Sequence, residues 1–394
     1  MKILIATSKY HPYYLGGGEY SVKRLAEGLK NIEDLEVEVL TFADKPIIDY
    51  ENGIKVHRIK PINIYWSYYS KHKKFLSKTI WHILEVFNPN AKSIVEYIKT
   101  NIKPDLVHFR NIEDFSSSIF MYLSREKIPT IQTLNTYSMI EPSGTLFRQG
   151  RLSSLAMLLM IQLFKGKKYF SHYCSAVVGV SLHTLNEHLE RGYYKSSIKK
   201  VIKTSPEAVN YFEPEKSKNG VVFGYIGNIL KTKGLLELIR AFKKTKSNNS
   251  QLIIAGAGDK RYYKHCVEEA LEDERIVFVG RLKQSDFYPR VDVVIVSSIW
   301  NDPYPRVVAE SLGYSKPIIS SNFGGAKEGI MHNKTGYIYF DQSELINYID
   351  NLTDNENKID EFKQNIKNEL KDLISIDLDE YYKLYNRVII SKDS

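Results

Sequence analysis

Residues 291–320 read VDVVIVSSIWNDPYPRVVAESLGYSKPIIS, and the fold is decided here. Val291 to Val296 is a short β-branched run of the kind that lies buried in a sheet. A Pro-aromatic-Pro turn at Pro303–Pro305 follows, and then an apolar run that reads as a helix. Pro317 to Ser320 reads as the next strand. Strand, helix and strand in that order describe one crossover of a parallel sheet. Asp302 stands on the loop, and Glu310, eight positions later (310 − 302), a turn or two into the helix. Open α/β sheets bind ligands at the carboxyl ends of their strands. A carboxylate there suits the vicinal hydroxyls of a sugar or ribose, because each oxygen accepts from a different hydroxyl. An acidic residue near a helix start also complements the helix dipole, so the spacing alone leaves both readings open.

The alternation extends in both directions. Val221–Ile226 reads as a strand, Gly227–Gly234 as a loop and Leu235–Phe242 as a helix, with further strands at Gln251–Ala255 and Ile276–Val279. The first half follows the same plan without repeating the sequence. It has a helical pattern over Glu19–Lys30 and strands at Ile3–Thr7, Glu36–Phe42, Val56–Ile59, Asp105–Phe109, Thr130–Leu134 and Ala176–Val180. A chain of 394 residues exceeds one ordinary core, so two domains are expected. The polar, turn-rich EPEKSKNG at Glu213–Gly220 reads as the linker. The expected division is residues 1–212, residues 213–374 and a C-terminal helix in residues 375–394. That helix, amphipathic and tyrosine-rich over Asp377–Ile390, crosses back to the first domain.

Hydrophobic residues at 43% and charged residues at 26% describe a soluble globular protein. Cys174 and Cys266 are far apart and match no metal spacing, which fits reduced, packed thiols and a cytoplasmic location. The chain runs straight into its first strand, so a secretory signal is not expected. Leu152–Phe164 (LSSLAMLLMIQLF) is too short to span a membrane and reads as a buried or interfacial helix.

The net charge of +9 is uneven. Gly53 to Leu84 has no acidic residue but carries Lys55, Arg58, Lys60, Lys71, Lys73, Lys74 and Lys78, interleaved with Tyr65, Trp66, Tyr68, Tyr69, Phe75 and Trp81. A second acid-free stretch, Pro142 to Asn186, carries Arg148, Arg151, Lys165, Lys167 and Lys168. Such a mixture suits an anionic bilayer surface. Nucleic acid is the less favoured partner, and a solvated face over a few core aromatics is the plain alternative.

Four further loops carry chemistry. GGGE at Gly16–Glu19 joins the first strand to the first helix, where bare backbone N–H groups and a helix N-terminus can meet an anion. GNILKTKG at Gly227–Gly234 occupies the corresponding place in the second half and sets Lys233 just before a helix, positioned to meet a diphosphate. FGGAKEG at Phe323–Gly329 and NKTG at Asn333–Gly336 are turns flanking the last strands. Neither GGGE nor AGAG at Ala255–Gly258 is a dinucleotide fingerprint.

Taken in order, these segments resemble the retaining glycosyltransferases of family 4 (glycosyl transferases group 1), most strongly over Val221–Tyr339. The resemblance implies an α/β GT-B fold, two Rossmann-like doubly wound domains facing across a cleft. It assigns Glu310 to the donor ribose and Asp302 to the transferred sugar. Tyr304, Pro305, Arg306 and Val307 match a loop whose amides contact donor sugar and phosphate. Lys233 matches the diphosphate lysine of the loop that begins Gly227-Asn228, and Gly16, Gly17 and Gly18 match the N-terminal glycine loop over the phosphates. Gly280 and Arg281 match a turn near the nucleobase. The chain departs from the family in having Asp at 302, Asn228 where an Arg is common, and Asn135 where a His is common. Asn135 takes no proton, so its implied role is positioning. His108, ending the strand before it, is a candidate polar group in the cleft.

The implied reaction is retaining, metal-independent transfer of a sugar from a nucleotide-diphosphate sugar to a hydroxyl acceptor. The acceptor expected from the basic-aromatic stretches is a lipid-linked or surface-polysaccharide glycan, met during peripheral contact with an anionic membrane at the inner face of the plasma membrane. No cofactor is expected beyond the nucleotide-sugar donor, and no Asp-x-Asp falls in these loops. Two other classes stay open at this point. One is a catalytically silent nucleotide-sugar-binding subunit of a glycan-assembly complex. The other is a GT-B nucleotide-sugar epimerase or phosphorylase.

Overall fold

The computed structural model describes residues 1–13, 17–146, 155–203, 220–246, 248–373 and 377–393. They divide into two compact units, Met1–Ile202 with Ile376–Ser394, and Lys203–Ser375. Except for Gly220, the expected linker lies outside the described residues.

The first unit runs β1 (Lys2–Ala6), α1 (Gly17–Lys30), β2 (Glu36–Phe42), β3 (Ile47–Glu51), β4 (Ile54–Ile59), α2 (Phe75–Val86), α3 (Ala91–Tyr97), β5 (Leu106–Phe109), α4 (Ile119–Arg125), β6 (Thr130–Leu134), α5 (Leu155–Ser171), β7 (Ala176–Gly179), α6 (Leu182–Glu190) and β8 (Ile198–Val201). Its sheet has the order β3-β4-β2-β1-β5-β6-β7-β8. Every neighbouring pair is parallel except the β3–β4 hairpin. The chain builds outward from β1 on one side, then returns to place β5 on the other. The loops after β1 and β5 therefore diverge around a topological switch point. The two edge strands, β3 and β8, escape the sequence reading. IIDYE and IKKV lack the continuous apolar run of a central strand, because an edge strand is exposed along one side.

The second unit runs β9 (Val221–Ile226), α7 (Leu235–Phe242), β10 (Ser250–Ala255), α8 (Lys260–Ala270), β11 (Ile276–Gly280), α9 (Gln284–Phe287), β12 (Val293–Val296), α10 (Arg306–Gly313), β13 (Ile318–Ser321), β14 (Gly336–Tyr339), α11 (Gln342–Asp354) and α12 (Glu356–Leu373). Its sheet, β11-β10-β9-β12-β13-β14, is parallel throughout. Here the switch point lies between β9 and β12. Two glycines hold the loops around it. Gly234 adopts φ +63, and a Cβ there would lie 2.0 Å from the Ser297 carbonyl oxygen. Gly324 also adopts φ +63, and its Cβ would lie 2.3 Å from the Asp302 carbonyl oxygen. Any other residue at either place would push the loops apart.

The last helix, α13 (Asp377–Asp393), belongs to the first unit. Tyr381, Leu384, Tyr385 and Val388 recur at helical spacing and are buried in one cluster with Ile3, Ile5, Leu25 and Leu29. Gly28 makes room for this contact, since a Cβ there would stand 2.7 Å from Leu378.

Candidate active site

In the second unit the β9 loop ends in a tight turn, Lys231–Lys233, that aims Lys233 at the end of β12. Its Nζ pairs with Asp302 Oδ2 and lies 5.7 Å from the centre of the Trp300 ring. Asp302 is buried, and its carbonyl accepts from Gly325 N at 2.8 Å, which ties the β12 and β13 loops together. Sequence reasoning gave the lysine to a diphosphate and the aspartate to a sugar. The fold pairs the two, so each charge is already compensated and oriented. The Asn228 side chain is exposed, and its carbonyl accepts from Tyr225 OH at 3.0 Å. Gly227 precedes it on the same loop.

Glu310 lies on α10, which Pro305 opens in extended conformation with no acidic residue in the first turn. The first amides of the helix, those of Arg306 and Val307, have no intrahelical acceptor and form the anion-binding end of the dipole. Tyr304, just upstream, is buried. Glu310 is also buried. Its Oε1 accepts from Gln284 Nε2 at 2.6 Å and forms an ion pair with Arg306 Nη2 at 3.0 Å, and its Oε2 accepts from Tyr288 OH at 3.2 Å. Tyr288 stacks on Tyr314 with ring centres 4.5 Å apart, and burial pushes its phenol well above the usual range. Arg306, matched to the loop that contacts donor sugar and phosphate, has its side chain held by the carboxylate one turn on. Gly280 turns at φ +72 with open space around it, and Arg281 is exposed beside it. Gln284 and Tyr288 were not foreseen. Nothing in the sequence marks them, since they meet Glu310 only because α9 and the turn after it pack beside α10.

In the first unit Gly16 lies outside the described residues, while Gly17 and Gly18 open α1. A Cβ on Gly18 would lie 4.0 Å from Asn135 Nδ2, and that nitrogen donates to the Arg110 carbonyl at 3.1 Å. The glycine loop and the end of β6 are therefore neighbours, with the Asn135 amide tied to the β5 loop. His108 corrects the expectation. It is fully buried, with Nδ1 2.8 Å from Tyr385 OH and Nε2 2.8 Å from Thr133 Oγ1. Burial, reinforced by the Arg110 charge, holds it well below the usual histidine range. It is a neutral link between β5, β6 and α13, shut off from solvent. Arg110, also buried, donates to Tyr381 OH at 2.7 Å and was missed, because α13 lies more than 270 residues away in sequence. Among the described residues, no group of three or more His, Cys, Asp or Glu is placed to hold a metal ion.

The basic-aromatic stretch separates into core and surface. Trp66 and Trp81 are core residues, Arg58 is buried against Asp49, and Lys167 is buried with its Nζ donating to Ser138 O at 3.0 Å. Beneath α2, desolvation pushes the buried Glu85 carboxyl up to about 8 and lowers the Lys167 ammonium beside it. Outside, Phe75, Leu76, Ile80, Ile83 and Phe87 are exposed along α2 and its end, with Lys71, Lys73 and Lys74 exposed before it. Phe87 stacks on Phe170 at 6.1 Å, carrying the apolar face to the exposed Tyr169 of α5. Arg148 and Arg151 lie outside the described residues, as do the side chains of residues 152–161 in the Leu152–Phe164 run. No helix among the described residues is long and apolar enough to cross a membrane.

Two family models match the chain in succession: Glycosyltransferase Family 4 over residues 15–201 and Glycosyl transferases group 1 over residues 209–369. An uncharacterized 42.6 kDa protein in the cps region of Klebsiella pneumoniae is 27% identical over 330 residues, spanning 83% of this chain and 87% of its own. A lipopolysaccharide 1,2-N-acetylglucosaminetransferase of Salmonella typhimurium is 29% identical over 134 residues, 31% of this chain and 35% of its own. Among solved structures, Anabaena HepE in complex with UDP superposes with a TM-score of 0.73 at 17% identity, covering 98% of this chain and all of the other. The last likeness concerns the fold.

Proposed function

This chain belongs to glycosyltransferase family 4, with the GT-B fold, and from that premise we propose that it transfers a sugar from a nucleotide-diphosphate sugar to a hydroxyl of a growing surface glycan, with retention of configuration. The observation that carries the reading is the pair of charged clusters at the second switch point, Lys233–Asp302 joining the loops after β9 and β12, and Arg306–Glu310 one turn apart on α10. Lys233 and the α10 amides would hold the leaving diphosphate and stabilise its charge as the sugar–oxygen bond breaks. Glu310 would take the ribose and Asp302 the sugar. The new bond forms from the acceptor oxygen to the same anomeric carbon, and the acceptor proton passes to the departing phosphate. Positive charge comes from the side chains, so chelation of divalent metal would leave turnover unchanged.

The first unit is proposed to bind the acceptor. The apolar face of α2, rimmed by lysines, supports docking on an anionic membrane where a lipid-linked glycan would be met, with the phenyl rings in the interface and the ammonium groups at phosphates. The relatives encoded in a cps region and acting on lipopolysaccharide point to the same acceptor class. The test is turnover of UDP-, GDP- and ADP-sugars with a lipid-linked acceptor, the product anomer being read by NMR. Donor binding with neither transfer nor hydrolysis would instead indicate a silent binding subunit. Flotation with phosphatidylglycerol vesicles tests docking. A Phe75→Ser/Leu76→Ser variant that floats as well as the parent would remove the membrane contact from the scheme.

A further inference from the structure

Gln284 lies three residues beyond Arg281 and is half-buried at the start of α9. Its amide has two chemically different ends, a donor NH2 and an acceptor oxygen. Against the Glu310 carboxylate only the NH2 end is compatible, and Nε2 donates to Glu310 Oε1 at 2.6 Å. That contact fixes which way the amide points. Oε1 of Gln284, bonded to the same carbon as the anchored nitrogen, has no hydrogen-bond partner among the described residues. Meanwhile Glu310 Oε1 already accepts a hydrogen bond from Gln284 and pairs with the Arg306 guanidinium at 3.0 Å. A diol approaching Glu310 therefore finds Oε1 held by Gln284 and Arg306, Oε2 accepting from Tyr288 OH with a lone pair to spare, and a fixed amide oxygen beside them.

We propose that Gln284 reads the nucleotide directly: anchored through Nε2 on Glu310, it presents Oε1 to one ribose hydroxyl while Glu310 Oε2 takes the neighbouring one. Carboxylate and amide together form the diol clamp, and the site discriminates ribose from its deoxy forms. This inference rests on the nucleotide-sugar reading of the same site. A site built to hydrogen-bond a hydroxyl penalises the ligand that lacks it, because its own polar group is left unpaired.

The test uses the full chain and isothermal titration with UDP, GDP and ADP, then with the 2′-deoxy and 3′-deoxy forms of whichever binds. The parent should bind each deoxy form about tenfold more weakly than the ribonucleotide. Gln284→Met, nearly isosteric but without the amide, should lose about tenfold for the ribonucleotide and almost nothing for one of the two deoxy forms. An unchanged ligand-free melting temperature would confirm that the variant is folded. Equal weakening of all three ligands by the substitution would overturn the proposal, since Gln284 would then act only by holding Glu310. No weakening at all would overturn it too. Failure of the parent to bind any of the three diphosphates would sink the underlying reading as well.

Discussion

At the carboxyl ends of β5 and β6 in the first unit the polar groups are sealed. His108, Arg110 and Thr133 are buried and bonded to the hydroxyls of Tyr381 and Tyr385 on α13. At the ends of β9 and β12 in the second unit they are charged and reachable, the side chains of Lys233 and Arg306 being 26% and 33% exposed. Both units place these groups at or beside the switch point of their sheet, so topology is not what separates them. What differs is whether a helix closes over the strand ends. At the closed end His108 is held neutral by burial, and the buried Arg110 guanidinium is held by hydroxyls of Thr133 and Tyr381. An open end can keep ion pairs that exchange partners when a ligand arrives.

The contrast predicts opposite consequences for substitution. Lys233→Ala should cost the most, about 100–1000-fold in turnover, because it removes charge stabilisation at the leaving group; the melting temperature should fall as well, since the buried Asp302 loses its counter-charge. Steady-state kinetics with a matched thermal melt decides this, and an unchanged kcat would erase the distinction between the ends. In the first unit the expectation is reversed. Tyr385→Phe leaves His108 Nδ1 without its partner and should cost about 1–3 kcal/mol in a denaturant melt, with kcat preserved in the fraction that is folded. Lost turnover without lost stability would return His108 to the active site.

The smallest effect concerns pH. Burial holds His82 and His188 down to about 4, below the unfolded value of 6.5, and lowers His108 in the same sense. Below pH 6.5 the unfolded chain then binds more protons than the folded one. Stability should accordingly be complete above about 6.5 and fall towards pH 4, by up to about 1.4 kcal/mol per pH unit for each histidine. Thermal melts across that range check the slope, which His188→Gln should flatten.

Much of the second unit was legible from the chain. Lys233 and Asp302 sit on loops, and Glu310 on the helix that follows one, beside strands that are apolar and unbroken, and local pattern finds such strands readily. Gln284 and Arg110 were not legible. The first becomes a partner of Glu310 through the packing of α9 beside α10, and the second meets a hydroxyl from the far end of the chain.

The sequence by itself determined the alternation of strand and helix, the two-part plan and the carboxylates and lysine at strand ends, because periodicity and turn chemistry are local properties. Tertiary structure alone decided which polar groups are open and which are closed. It sealed His108 under α13, paired Lys233 with Asp302, and turned a uniformly basic-aromatic stretch into a tryptophan core beneath an apolar outer face. Burial and partner choice depend on which distant segment fills the space above a residue, and no short window of sequence carries that information.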